Sequence, residues 1–123
     1  MPSAMKRILL ADDDPDTLLV LKDRLESLGY QVHTVSNGQE AVEEMGRGDF
    51  SAVIMDIKMP ELDGIEALRK IKQNRPNTPV IMITSVKEKI LDVLAVGAEA
   101  CLLKPVDPDR LREALERGLK NTT

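Results

Sequence analysis

Tryptophan is absent from the 123-residue chain, and phenylalanine, tyrosine and cysteine occur once each. Aromatic residues make up only 2%, so a core must be built from Leu, Ile, Val, Ala and Met, and stacking on bases or on a flavin is disfavoured. The single cysteine, Cys101, excludes an internal disulfide and a thiolate metal cluster and makes the cytosol the default compartment. No block of Lys or Arg offsets the formal net charge of -4, which argues against neutralising nucleic-acid phosphates. No apolar run approaches the roughly 20 residues that cross a bilayer, and no signal-like segment follows the first residues, so no membrane role is expected. The opening residues Met1–Ala4 are assigned no structure.

What the chain does have is a regular alternation. Its length suits one domain, with no room for a separate output domain. Four short, near-continuous apolar runs, Ile8–Ala11, Ala52–Met55, Val80–Ile83 and Ala100–Leu103, suit parallel strands covered on both faces. A fifth, "YQVHTV" from Tyr30 to Val35, alternates polar and apolar and suits a sheet edge.

Helical segments separate these runs. Asp14-Pro15 reads as a cap and first helical residue, with Leu18, Leu21, Leu25 and Leu28 as the buried stripe and Gly29 as the stop. Asp107-Pro108 repeats that grammar, with Leu111, Ala114 and Leu115 inward. Asn37 with Glu40, Asp63 with Glu66 and Ser85 with Glu88 have capping-box spacing. Five strand–helix alternations predict an α/β, doubly wound, five-stranded parallel sheet with five helices.

In such a sheet the ligand site lies beyond the carboxyl ends of the strands, where the strand order reverses. Those ends carry Asp12 and Asp13 after the first strand, Asp56 after the third, Thr84 after the fourth and Lys104 after the fifth. Two unit charges about 4 Å apart repel by ~4 kcal/mol at an effective dielectric of ~20, so clustered carboxylates need a cation or must give up charge. Carboxylate oxygens are hard ligands suited to Mg²⁺. Asp14 has a different reading, as a helix cap. Taken singly, an Asp pair is more often a solvated turn, Thr84 a hydroxyl satisfied by backbone and Lys104 a surface lysine. Their joint placement at successive strand ends outweighs those readings.

The strings "LLADDD", "VIMDIKMPELDG", "VIMITS" and "CLLKP" together make the chain resemble a response-regulator receiver domain of two-component signalling, placed at residues 5–120. The resemblance implies a flavodoxin-like fold with strand order 2-1-3-4-5 and a Mg²⁺ cofactor. It implies that Asp56 accepts a phosphoryl group from a sensor histidine kinase or phosphotransfer protein. By the same carry-over Asp13 binds Mg²⁺ directly, Asp12 mainly through water, and the Lys58 carbonyl completes the protein ligands. Thr84 and Lys104 contact the phosphoryl oxygens, and the Lys104–Pro105 peptide is cis. Such a domain promotes its own phosphoryl transfer and dephosphorylation and does not turn over a separate substrate. It signals through its fourth helix, fifth strand and fifth helix to an output domain or protein, with a phosphorylation-dependent homodimer as a further partner.

Cys101 departs from the family's usual aromatic switch residue, and Lys58 and Val86 occupy positions that tune the lifetime of the phosphoryl group. Two rivals fail on the residues. An aspartate-based phosphatase needs D-x-D-x-T, which Asp12, Asp14 and Asp16 do not complete, and a flavin carrier needs a Ser/Thr-rich phosphate loop and aromatics. An adaptor that never takes a phosphoryl group is disfavoured because all five site side chains are present.

Overall fold

The computed structural model describes residues 6–59 and 62–121; Met1–Ala4, Met5 at the expected domain start, and Pro60 and Glu61 lie outside them. Five strands, β1 (Arg7–Ala11), β2 (Gln31–Val35), β3 (Ala52–Asp56), β4 (Val80–Thr84) and β5 (Ala100–Leu103), form one sheet in the order β2-β1-β3-β4-β5. Every neighbouring pair is parallel. The helices are α1 (Pro15–Ser27), α2 (Gly38–Arg47), α3 (Gly64–Asn74), α4 (Ile90–Val96) and α5 (Pro108–Asn121), with a 3₁₀ turn at Lys87–Lys89 before α4. Among the described residues no helix is long and apolar enough to cross a membrane.

Strand side chains alternate between two cores, one on each face of the sheet. Leu9, Val53, Met55 and Met82 pack with Ala41 and Met45 of α2, Leu68 and Ile71 of α3 and Val93 of α4. Ile8, Leu10, Ile54, Ile81 and Ile83 pack with Leu21 and Leu25 of α1 and Leu111 and Leu115 of α5. Residues of β1, β3 and β4 therefore contact apolar groups on both sides, which is why these strands read as unbroken apolar runs.

The helix starts follow local hydrogen bonding. The Asp14 carboxylate accepts from the Asp16 N–H at 3.2 Å and the Thr17 hydroxyl at 2.7 Å. Asn37 accepts from the Glu40 N–H at 2.8 Å, Asp63 from the Glu66 N–H at 2.9 Å and Asp107 from the Asp109 N–H at 2.9 Å. The glutamates do not close the boxes: Glu40 reaches back to Ser36, and Glu66 pairs with Arg69.

Three expectations are corrected. Ser85 caps nothing: the chain enters a 3₁₀ turn from Val86 rather than a helix from Ser85, and neither that turn nor α4 has a side-chain cap. Leu28 is not part of the buried stripe; α1 ends at Ser27 and Leu28 turns outward at the helix end. Finally, β5 is a sheet edge and only partly covered, since seven-residue α4 brings a single buried side chain, Val93, against this side.

Candidate functional site

The strand order reverses between β1 and β3, and the chemistry-bearing residues gather at the carboxyl end of that crevice. The sheet ladder aims them there. The Asp12 N–H donates to the Val35 carbonyl at 3.2 Å, the Ile57 N–H to Ile83 at 3.0 Å and the Lys104 N–H to Thr84 at 2.8 Å, so each strand end is tied to its neighbour. Asp56 and Thr84 are the last residues of β3 and β4, so these strands extend one position beyond the boundary read from the apolar runs. All three polar groups Asp12, Asp56 and Thr84 are buried, at 1%, 6% and 2% exposure.

Asp12, Asp13 and Asp56 each offer a carboxylate oxygen, and these oxygens all lie within 4.8 Å of one another. Lys104 Nζ stands between two of them, 2.9 Å from Asp56 Oδ2 and 3.4 Å from Asp12 Oδ2. Asp12 Oδ1 accepts from the Asp14 N–H at 2.9 Å, and Asp56 Oδ1 accepts from the Lys58 N–H at 3.4 Å. Asp13, by contrast, is exposed at the mouth. The Lys104–Pro105 peptide is cis.

Burial pushes the Asp12 carboxyl above its ordinary pKa; the Asp14 N–H opposes this, and the nearby Asp56 charge adds to it. Burial pulls the Lys104 ammonium down, but the hydrogen bond and charge of Asp56, with those of Asp12, outweigh that and hold it above its usual value. One ammonium thus pairs with two of the three carboxylates, Asp56 and Asp12, and not with Asp13. The remaining repulsion, and a hard-oxygen donor set with no sulfur or imidazole, fit a small divalent cation such as Mg²⁺.

Thr84 is close to the site but occupied. Its Oγ1 accepts from the Val86 N–H at 2.9 Å, the backbone-satisfied arrangement expected of a strand-end hydroxyl.

Two features escaped the sequence reading. Gly64 opens α3 where its N–H donates to the Ile57 carbonyl at 2.7 Å, and a Cβ there would lie 2.4 Å from the Asp56 carbonyl oxygen. The loop between β3 and α3 is folded so tightly on the end of β3 that only glycine fits. The signal was the glycine itself, a poor helix former placed directly after a good cap. Lys89 is the second. It lines, with Asp13, Asp56, Lys58, Thr84 and Lys104, an open cleft of about 440 Å³ over the carboxylates.

The response regulator receiver domain family matches residues 8–116 of this chain. The chain belongs to that family. It is 35% identical to the chemotaxis protein CheY of Thermotoga maritima over 118 residues, 94% of this chain and 98% of that protein. It is 36% identical over 117 residues to the transcriptional regulatory protein ZraR of Salmonella typhimurium, covering 94% of this chain but 26% of ZraR. The chain thus spans about a quarter of the length of the transcriptional regulators it matches. The crystal structure of the response regulator TrrA of Thermotoga maritima, solved in complex with Mg²⁺-BeF, superposes with a TM-score of 0.87 at 32% identity, covering 93% of this chain and 99% of TrrA. A receiver domain of two-component signalling with the 2-1-3-4-5 sheet is therefore what this sequence encodes.

Proposed function

We propose that residues 5–120 act as a phosphoacceptor domain in which Asp56 takes a phosphoryl group from a histidine kinase or phosphotransfer protein. The observation that carries this reading is the Asp56 carboxylate at the end of β3, held by Lys104 at 2.9 Å with the Asp12 and Asp13 oxygens beside it. An Asp56 oxygen attacks the phosphorus of a phosphohistidine. The P–N bond breaks, and its electron pair returns to the imidazole.

Asp12, Asp13, Asp56 and the Lys58 carbonyl would hold Mg²⁺, which when bound neutralises charge on the transferring group. The chain's own groups do the rest. The Lys58 N–H and Lys104 fix the two Asp56 oxygens, the β3–α3 loop presents the acceptor, and Lys104 balances negative charge on the phosphoryl oxygens. Thr84 leaves the Val86 N–H, from which its Oγ1 accepts, and turns to donate its O–H to a phosphoryl oxygen, which draws in the segment leading to α4.

The surface provides for both kinds of partner. Leu19 and Val20 are exposed on α1, next to a groove formed by Val20, Leu21, Pro105 and Val106 that a kinase or phosphotransfer helix can enter beside the acceptor. Leu91, Leu94 and Leu103 are exposed on α4 and β5, the face expected to meet an output domain, an output protein or a second copy of the chain. Similarity to CheY favours a stand-alone partner and similarity to ZraR a transcriptional one.

Intact-mass measurement after treatment with acetyl phosphate tests the central claim. One phosphoryl addition is expected in the presence of Mg²⁺, with none after chelation and none on Asp56→Asn. Undiminished labelling of Asp56→Asn would overturn the assignment.

A further inference from the structure

We propose that Lys89 is an anion-recruiting residue of the acceptor cleft, drawing in the phosphate of a small acyl phosphate donor; this rests on Asp56 being the acceptor. A donor of that kind carries about two negative charges and must approach three carboxylates. The nearest ammonium is already engaged, because Lys104 spans Asp56 and Asp12. Two further lysines face the cleft, Lys58 from the β3–α3 side and Lys89 from the turn before α4. Lys89 is exposed and, among the described residues, forms no ion pair with any carboxylate, so its charge is available to an incoming anion.

Position within the turn gives Lys89 a different part from its neighbour. Lys87 belongs to the same 3₁₀ turn and has the same charge, yet it does not line the cleft. At about 440 Å³ the cleft admits a small acyl phosphate with its water, and Ile65 and Val86 give the acyl end apolar wall. A cation at the mouth of a cleft raises the local concentration of anions and the rate of their entry, an effect that salt suppresses. The transfer itself balances without a proton. An Asp56 oxygen bonds to phosphorus, the bond from phosphorus to the acyl oxygen breaks, and the electron pair leaves with the acyl carboxylate.

The test compares initial rates of acetyl phosphate labelling at Asp56 for wild type, Lys89→Gln, Lys89→Arg and Lys87→Gln, in saturating Mg²⁺ at low and high ionic strength. Lys89→Gln is expected to lower the rate below donor saturation about three- to tenfold at low ionic strength, with the deficit closing at high ionic strength and at saturating donor. Lys89→Arg keeps the wild-type rate, and Lys87→Gln stays within about twofold of it. Equal rates for Lys89→Gln and wild type, an equal deficit in Lys87→Gln, or a deficit that salt leaves unchanged would each overturn the inference. A wild type that takes no label at Asp56 overturns the phosphoacceptor reading and this inference with it, whereas labelled wild type with an indifferent Lys89 overturns this inference alone.

Discussion

α3 and α4 lie on the same face of the sheet, and each follows a strand that ends in a site residue, Asp56 for α3 and Thr84 for α4. They are finished in opposite ways. α3 has 11 residues, an Asp63 cap, and buries Ala67, Leu68 and Ile71. α4 has seven residues, no side-chain cap, only Val93 buried, and leaves Leu91 78% exposed. Helical stability in proteins comes mainly from packing of the apolar face, so a short, uncapped helix with one buried side chain opens at low cost. The proposed acceptor, Asp56, is thus mounted on the held side of the site and the Thr84 hydroxyl, proposed to respond to it, on the loose side. Geometry for transfer and freedom to respond are separated by one strand.

The sharpest way to break this contrast is truncation on both helices. Leu68→Ala should destabilise the protein by about 2–5 kcal/mol in urea unfolding, while Leu91→Ala should stay within about 0.5 kcal/mol. Comparable losses would mean that α4 is anchored as firmly as α3.

Next in size is the loop that presents the acceptor. Gly64→Ala forces a Cβ against the Asp56 carbonyl, whereas Gly46→Ala meets nothing within 4 Å. Calorimetric Mg²⁺ affinity should fall about tenfold or more for Gly64→Ala, a difference of roughly 1.4 kcal/mol, and stay unchanged for Gly46→Ala. An unaffected Gly64→Ala would show that this side of the site is not rigidly held.

How much of this was legible in the sequence divides along the same line. β1, β3 and β4 announced themselves because both faces of each strand are buried, and the ends of the apolar runs pointed to the next residues, Asp12, Asp56 and Thr84. The order of Asp63 and Glu66 found the start of α3 for the right reason, a carboxylate accepting from the N–H three residues on. Ser85 and Glu88 have the same spacing and failed, because the chain enters a 3₁₀ turn from Val86 instead of a helix from Ser85, and α4 begins only at Ile90. The run Ala100–Leu103 identified a strand but not its place at an edge, since apolarity records what a residue can tolerate and not what covers it. Leu28 continued the period of α1 beyond the point where the helix stops. Lys89 had no signature of its own; its relation to the cleft exists only once the turn has folded.

A pH comparison sharpens the held side further. The Asp12 carboxyl has its pKa raised, so its ionised form lowers stability at neutral pH, and that penalty disappears as the pH falls through the raised pKa. In metal-free buffer Asp12→Asn should therefore melt above wild type near neutrality, with the gap closing in acid, while its Mg²⁺ affinity is weakened throughout. A gap that widens in acid would reverse the sign. Lys104 behaves oppositely in window: its raised pKa keeps its contribution intact until strongly alkaline pH.

The smallest expected effect belongs to Cys101. It is only half-buried, and burial pushes its thiol upward, so it stays a neutral small side chain with little to swing. Backbone shifts of Ser85 to Leu91 on adding Mg²⁺ and beryllium fluoride should survive in Cys101→Ala. Their loss, with metal binding retained, would make the thiol part of the response.

The hydrogen bond from the Val86 N–H to Thr84 Oγ1 has a consequence for anyone wishing to watch a single molecule-wide event at one atom. While the hydroxyl remains with Val86, that amide is shielded from deuterium. In the proposed switching, in which the hydroxyl leaves Val86 for a phosphoryl group, the amide loses this side-chain acceptor and exchanges with solvent. On that proposal Val86 is a built-in clock: the deuterium uptake of one peptide proton is expected to count the fraction of time the Thr84 hydroxyl has spent away from it.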